Sequence, residues 1–247
     1  MLLACRFIRQ SVSATFRLNY IEQTRSSNSA TCPRSFILQH TEVVSDPLTP
    51  EIRLRLLTQR CEFWHQKPEL WPYGDPYWAI YWPGGQALVR FLLDNPQIVR
   101  GGSVLDLGCG CGAAAIAAGM GGASYVLAND IDPVAGEAFK LNCELNSTKP
   151  LDFQAENLIG QEVAPWSLIV LGDMFYDEDL ADLLHDWLGR CVGRHGTKVL
   201  IGDPGRTQFA SHPVRRHLRQ LAQYSLSEST KRENYGLTSS GVWSYEP

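Results

Sequence analysis

The sequence predicts an α/β fold, a mostly parallel sheet with helices on both faces that ends in an antiparallel strand pair. Three observations predict it. Short apolar runs alternate with amphipathic stretches of helical length, as parallel strands joined by crossover helices do. One of those strands, residues 103–107, runs through a glycine loop straight into an apolar helix. The last stretches, residues 222–227 and 241–245, instead alternate apolar and polar residues, the period of antiparallel edge strands.

The elements follow in chain order. Thr49-Pro50-Glu51 predicts a helix to about residue 60, with Thr as cap, Pro at the first helical position and Glu favoured by the dipole. Residues 61–84, rich in Trp, Tyr and Pro, read as an irregular arm, and residues 85–93 as a helix. Strand 103–107 leads into helix 113–120, strand 125–128 into helix 133–146, with Pro133 in its first turn. Phe153 sits in a short strand; strand 168–171 feeds helix 178–191, and strand 198–201 stops at Gly202. Arg215-Arg216-His217-Leu218-Arg219 reads as a solvated helix face. The division expected is a tail at 1–40, a helical and aromatic arm at 41–95, and the sheet domain at 96–247.

Composition narrows the function classes. The chain has 247 residues, 44% hydrophobic, enough to bury a core without disulfide staples. No uninterrupted apolar run reaches about 18 residues, which argues against a membrane span. The net charge of −4 argues against a nucleic-acid binder. Charge is distributed unevenly. Residues 1–40 carry Arg6, Arg9, Arg17, Arg25 and Arg34 against Glu22 alone, with six serines, so the remainder carries −8. An Arg-rich, Ser-rich, acid-poor amino end is the composition of a mitochondrial transit peptide. It predicts the mitochondrial matrix, with a cytoplasmic pool as the alternative. Seven cysteines, with Cys109 and Cys111 inside a glycine loop, fit a reducing compartment better than a disulfide framework. No paired C-x-x-C suggests zinc, and no metal is expected.

Val104-Leu105-Asp106-Leu107-Gly108-Cys109-Gly110-Cys111-Gly112 is the chemical centre of the sequence. Gly108, Gly110 and Gly112 allow a sharp turn and close backbone approach by a ligand at the carboxyl edge of the sheet. Asp130 follows Gly108 by 22 residues, a spacing that suits a carboxylate accepting from both ribose hydroxyls. The dinucleotide pattern is also satisfied. Asp106, two residues before the first glycine, would repel a pyrophosphate and could hold a cation.

These residues resemble the first motif and its follower in the seven-strand, S-adenosylmethionine-dependent methyltransferases, whose fold is Rossmann-like. The resemblance implies that Asp106 and the glycine loop meet the methionine portion of S-adenosylmethionine. It implies that Asp130 takes the ribose, and that Glu156 and Asn157 lie at the adenine edge. A loop-bracing role for Asp106 and a capping role for Asn157 are the bland alternatives. In Gly172-Asp173-Met174-Phe175-Tyr176-Asp177-Glu178, the spacing of Asp173 and Tyr176 is similar to the Asn/Asp-x-x-Tyr motif of amine and amide methyltransferases. The usual Pro-Pro is Met-Phe here, which disfavours planar acceptors and suits a lysine. A lysine ammonium has no lone pair. With a pKa of about 10.4, roughly one in 2,500 is neutral at pH 7, and parity is worth about 4.6 kcal/mol. Asp173 is expected to orient the amine beside the cofactor, and Tyr176 to bound the pocket. Their alternatives are a helix cap and a core residue.

Tyr77-Trp78-Ala79-Ile80-Tyr81-Trp82-Pro83-Gly84-Gly85 is similar to a segment of the protein-lysine branch of that family, as are residues 54–58, 128–133, 172–180 and 201–206. The resemblance implies that Trp82 lies over the cofactor or shapes a lysine channel; ordinary core packing is the alternative. It implies a protein-lysine N-methyltransferase that adds up to three methyl groups and acts as a monomer on a protein, not on nucleic acid or membrane. Two other readings keep the cofactor: methylation of a ribosomal protein, and a non-catalytic assembly factor. A nicotinamide oxidoreductase is the remaining alternative.

Overall fold

The computed structural model describes residues 32–66, 71–149, 151–234 and 236–247. The amino-terminal layer comprises α1 (Pro33–His40), the hairpin strands β1 (Glu42–Val44) and β2 (Leu54–Leu56), α2 (Glu62–His65) and a 3-10 turn at Tyr77–Ala79. The main domain runs α3 (Pro83–Asp94), β3 (Ser103–Leu107), α4 (Ala113–Met120), β4 (Tyr125–Asn129), α5 (Pro133–Leu145), β5 (Asp152–Gln154), β6 (Leu168–Gly172), α6 (Glu178–His195) and β7 (Lys198–Asp203). It closes with α7 (Thr207–Ser211), β8 (Leu218–Ser225), α8 (Glu228–Glu233) and β9 (Ser239–Tyr245).

Seven strands form one sheet in the order β5-β4-β3-β6-β7-β9-β8. The chain builds outward from β3 to β5, then returns to the other side of β3 with β6. The loops after β3 and β6 therefore diverge and leave a crevice at the carboxyl edge, where ligands bind in open parallel sheets. Strand residues alternate between two apolar faces. Val104, Val126, Val170 and Leu200 pack under α3 and α4, while Leu105, Leu127, Ile169 and Ile201 pack under α6. Small side chains let α4 sit close: all of Ala113 to Ala118 are buried.

Four expectations need correction. The carboxyl-terminal strands do pair antiparallel, but they are not both edge strands: β9 inserts between β7 and β8, so of the two β8 alone lies at an edge of the sheet. Residues 49–60 do not form a helix. Ile52, Leu54 and Leu56 recur every second residue and are buried, while Arg53 and Arg55 are not, and that period of two makes a strand paired with residues 42–44. Residues 215–219 form a 3-10 turn running into β8 rather than a helix face, with the Arg215 guanidinium 3.8 Å from the Trp243 ring centroid. The folded chain also begins earlier than residue 41. Pro33–His40 is helical, and its Phe36 and Ile37 are buried with Trp64, Trp71, Trp78 and the α5 residues Ala135 and Ala138. The transit-peptide expectation otherwise falls on residues 1–31, outside the described residues.

Asn142 of α5 ties the two layers together. Fully buried, it accepts from the Arg55 amide at 2.7 Å and donates to the Cys111 carbonyl at 2.8 Å. The hairpin edge is thereby linked to the glycine loop. Among the described residues no helix is long and apolar enough to cross a membrane.

Candidate active site

The glycine loop is set by its own backbone and by β4. Gly108, Gly110 and Gly112 have φ of 67°, 51° and 78°, a left-handed conformation that side chains resist. Gly112 is also the last residue before α4, and a Cβ there would lie 2.2 Å from the Phe139 ring. The Cys109 amide donates to the Asn129 carbonyl at 2.8 Å, which rests the loop on the end of β4. Cys109 and Cys111 are buried free thiols, the small loop residues expected of them. Burial pushes the Cys111 thiol up to about 12.

Two carboxylates flank this loop. Asp106, the buried fourth residue of β3, accepts from the Ala115 amide at 2.9 Å, inside the first turn of α4. Burial first, then the neighbouring Asp130 charge, raise its pKa to about 7. Asp130, just past β4, accepts from the Gly110 amide at 3.0 Å and the Asp132 amide at 3.1 Å. Asp106 therefore braces the loop, and so does Asp130. Asp132 caps α5 by accepting from the Val134 amide, and burial lifts it to about 7. A carboxyl buried where its own charge is penalised, beside a second carboxylate, is a site that a cationic ligand would relieve. Gly110 leaves room above it, with only the Trp78 Cα, at 3.8 Å, near a built Cβ. This donor set fits a ligand carrying a cation and a ribose.

Asn157 is exposed. Its Oδ1 accepts from the Ile159 amide at 3.0 Å, and Glu156 Oε2 accepts from the Gln154 side chain at 3.0 Å. The structure shows the turn-capping role for Asn157. The buried Asn129 does more here. Its amide donates to the carbonyls of Gln154 and Glu156 at 2.9 and 2.8 Å and holds the end of β5 against β4.

On the other side of the crevice, the loop after β6 touches the glycine loop. A Cβ on Gly108 would lie 2.3 Å from the Met174 sulfur. Asp173 turns off the strand with φ of 59°, a costly conformation for a residue with a side chain. The residue is 7% exposed, and its carboxylate holds two donors. Oδ2 accepts from the Gly85 amide at 2.8 Å, and Oδ1 from Arg206 Nη2 at 2.6 Å. Gly85 comes this close because glycines meet there: a Cβ on Gly84 would lie 2.3 Å from the Gly202 carbonyl, and one on Gly172 2.9 Å from the Gly85 Cα. Asp173 is not the cap of α6. Asp177 is, accepting from the Leu180 amide. Tyr176 is 42% exposed, and the core aromatic is its neighbour Phe175.

Trp82 precedes α3, donates from its indole to the Tyr77 carbonyl at 3.1 Å, and is half-buried. The Arg206 guanidinium lies 5.6 Å from its ring centroid. Trp82, Asp173 and Arg206 thus share one wall of the crevice. Arg206, Asp203, Gly85 and Asn129 were not singled out as site residues by sequence reasoning. The available signal was Asp203-Pro204-Gly205-Arg206, where a strand-ending Asp folds its own loop by accepting from the amides of Gly205 and Arg206 at 2.7 and 2.8 Å.

A crevice with a glycine loop, a ribose-type carboxylate and a second buried carboxylate is shared by many methyltransferases; relatives decide which. The family model for ribosomal protein L11 methyltransferase (PrmA) matches residues 89–171. The electron transfer flavoprotein beta subunit lysine methyltransferase of Xenopus laevis is 81% identical over 247 residues, covering all of both chains. The chain belongs to the electron transfer flavoprotein beta subunit lysine methyltransferases. The Homo sapiens protein of that name is 61% identical over 215 residues, 87% of this chain and 82% of its own. At the level of fold alone, a putative SAM-dependent methyltransferase from Streptococcus mutans superposes with a TM-score of 0.56 at 11% identity, covering 88% of this chain and 57% of that one. The enzyme is a methyltransferase, and its cofactor is S-adenosylmethionine.

Proposed function

We propose that the enzyme methylates lysine side chains of the electron transfer flavoprotein beta subunit, up to the trimethyl state, in the mitochondrial matrix. The substrate is the one named for its relatives, and the compartment rests on the Arg-rich, acid-poor amino end. The observation that carries the chemistry is the position of Asp173, a buried carboxylate on the wall of the crevice opposite the glycine loop.

Asp106, Gly108, Gly110 and Gly112 hold the methionine portion of S-adenosylmethionine, Asp130 the ribose, and Trp82 covers the pocket. Asn157 lies at the adenine edge, contributing its backbone segment while its side chain caps the turn. When bound, the cofactor supplies an electrophilic methyl group. Asp173 draws the lysine in as ammonium, which loses its proton to water. The carboxylate then fixes the amine nitrogen in line with the methyl, and Tyr176 bounds the channel. Positioning of this kind supplies much of the rate in a displacement that needs no covalent intermediate. Trimethylation keeps the charge of the lysine but removes its hydrogen-bond donors. Weaker electron acceptance from dehydrogenases that dock on the modified surface follows from lost donors and added bulk.

Methylation of a ribosomal protein is the second reading, favoured by the match at residues 89–171. That match ends before Asp173, so it covers the cofactor half of the site and not the acceptor half. Incubation of the purified chain with labelled cofactor and a matrix extract separates the readings. A labelled band at the size of the beta subunit supports the first, label on a ribosomal protein supports the second, and Asp173→Ala abolishes either.

A further inference from the structure

The acceptor carboxylate does not stand alone. Asp173 and Asp203, at the ends of β6 and β7, flank a single guanidinium, that of Arg206. All three side chains are nearly inaccessible. The pairing is lopsided. Arg206 Nη2 contacts Asp173 Oδ1 at 2.6 Å, whereas Arg206 Nε and Asp203 Oδ2 stand 3.9 Å apart. Both of these atoms are buried, and neither has a hydrogen-bond partner. An orphan donor facing an orphan acceptor is an unmade bond, and a shift of about 1 Å would make it. Buried polar atoms are seldom left this way without a reason.

We propose that Arg206 is a positioning residue with two seats. It neutralises Asp173 while the acceptor site is free, and moves onto Asp203 Oδ2 when a lysine amine takes Asp173 Oδ1. This rests on Asp173 being the amine-binding carboxylate. The incoming amine then replaces one cation at Asp173 with another, and the displaced cation gains a carboxylate partner that it lacked. Two buried charges never lose their partners during the exchange, which would otherwise cost heavily. Burial and the Asp173 charge raise the Asp203 carboxyl to about 7, so this seat takes the guanidinium best once Asp203 ionises. Movement of Arg206 also lifts a cation off the wall formed by Trp82. The arrangement favours a cationic amine over neutral acceptors, since only a cation compensates for the departing guanidinium.

The test is methyl-transfer kinetics on the beta subunit with Asp203→Asn, Arg206→Gln and the double variant. The Asn amide keeps the bonds from the Gly205 and Arg206 amides but presents a donor to Arg206 Nε, closing the second seat. The expected result is a rise of about tenfold in KM for the protein acceptor, with kcat and cofactor affinity within twofold. The double variant removes one buried cation and one buried anion together and leaves the net charge of the cluster unchanged, with Asp173 its remaining charge, so it serves as the control where a single change fails to fold. It should show an acceptor KM at or below that of the unaltered enzyme. A fall in kcat at constant KM in Asp203→Asn, or a raised KM in the double variant, overturns the proposal. Absence of any transfer to the beta subunit by the unaltered enzyme overturns the substrate reading instead. The seats are then read from crystals grown with S-adenosylhomocysteine and n-butylamine. Arg206 on Asp203 sustains the two-seat arrangement, and Arg206 still on Asp173 with amine bound refutes it.

Discussion

Three carboxyls, those of Asp106, Asp132 and Asp203, are each raised to about 7, mainly by burial. Between about pH 4 and 7 such groups hold more protons folded than unfolded, so the fold loses stability as pH rises through that window. The cofactor-free enzyme should therefore melt at a lower temperature at pH 8 than at pH 6, and Asp106→Asn should reduce that difference in a calorimetric scan. Ligand binding runs the opposite way. A cationic cofactor prefers ionised Asp106, so affinity should be about tenfold weaker at pH 6 than at pH 8. Isothermal titration across that range, with Asp106→Asn giving a flat profile, checks it. At this scale the glycine turn and the carboxylates beside it were legible, because each is required by local backbone geometry or by charge. The partners of Asp173 were not. They come from α3 and from the end of β7, 88 and 33 residues away in the chain, and their meeting is a product of the sheet order.

Elements with a single dominant period were legible to within a few residues. β3, α4, α5, β6 and α6 all lie where strand or helix spacing, and Pro133 in the first turn of α5, place them. The amino-terminal layer was harder to read. Thr49-Pro50-Glu51 carries the start signal of a helix, yet the Ile52, Leu54, Leu56 alternation wins because burial outweighs a cap worth about 1 kcal/mol. That layer is part of the fold. Ile37→Ala should cost about 2–5 kcal/mol, seen as a lower denaturant midpoint, and a chain starting at residue 41 should be less stable than one starting at residue 32 by at least as much. Asn142 is the link from this layer to the site. Asn142→Leu leaves the Arg55 amide unpaired and frees the Cys111 carbonyl, a penalty of about 1–3 kcal/mol. It should also weaken cofactor binding without touching the cofactor. Denaturation and titration of the same variant check both.

Across the whole molecule, the order β5-β4-β3-β6-β7-β9-β8 places its two loops of chemistry side by side, with Gly108 against Met174. The parallel half of that order was legible from alternating strands and helices. The insertion of β9 was not, because alternation alone does not say which neighbours a strand chooses. In the function proposed, this crevice joins S-adenosylmethionine to a lysine held by Asp173. The most direct measurement is intact mass of the purified electron transfer flavoprotein beta subunit after incubation with cofactor and enzyme, run in parallel with Asp173→Ala. Stepwise gain of up to three methyl groups per modified lysine is expected with the unaltered enzyme, and none with Asp173→Ala, although that variant still binds cofactor. Equal methylation by Asp173→Ala, or an unmodified beta subunit with cofactor-loaded enzyme, would contradict that function.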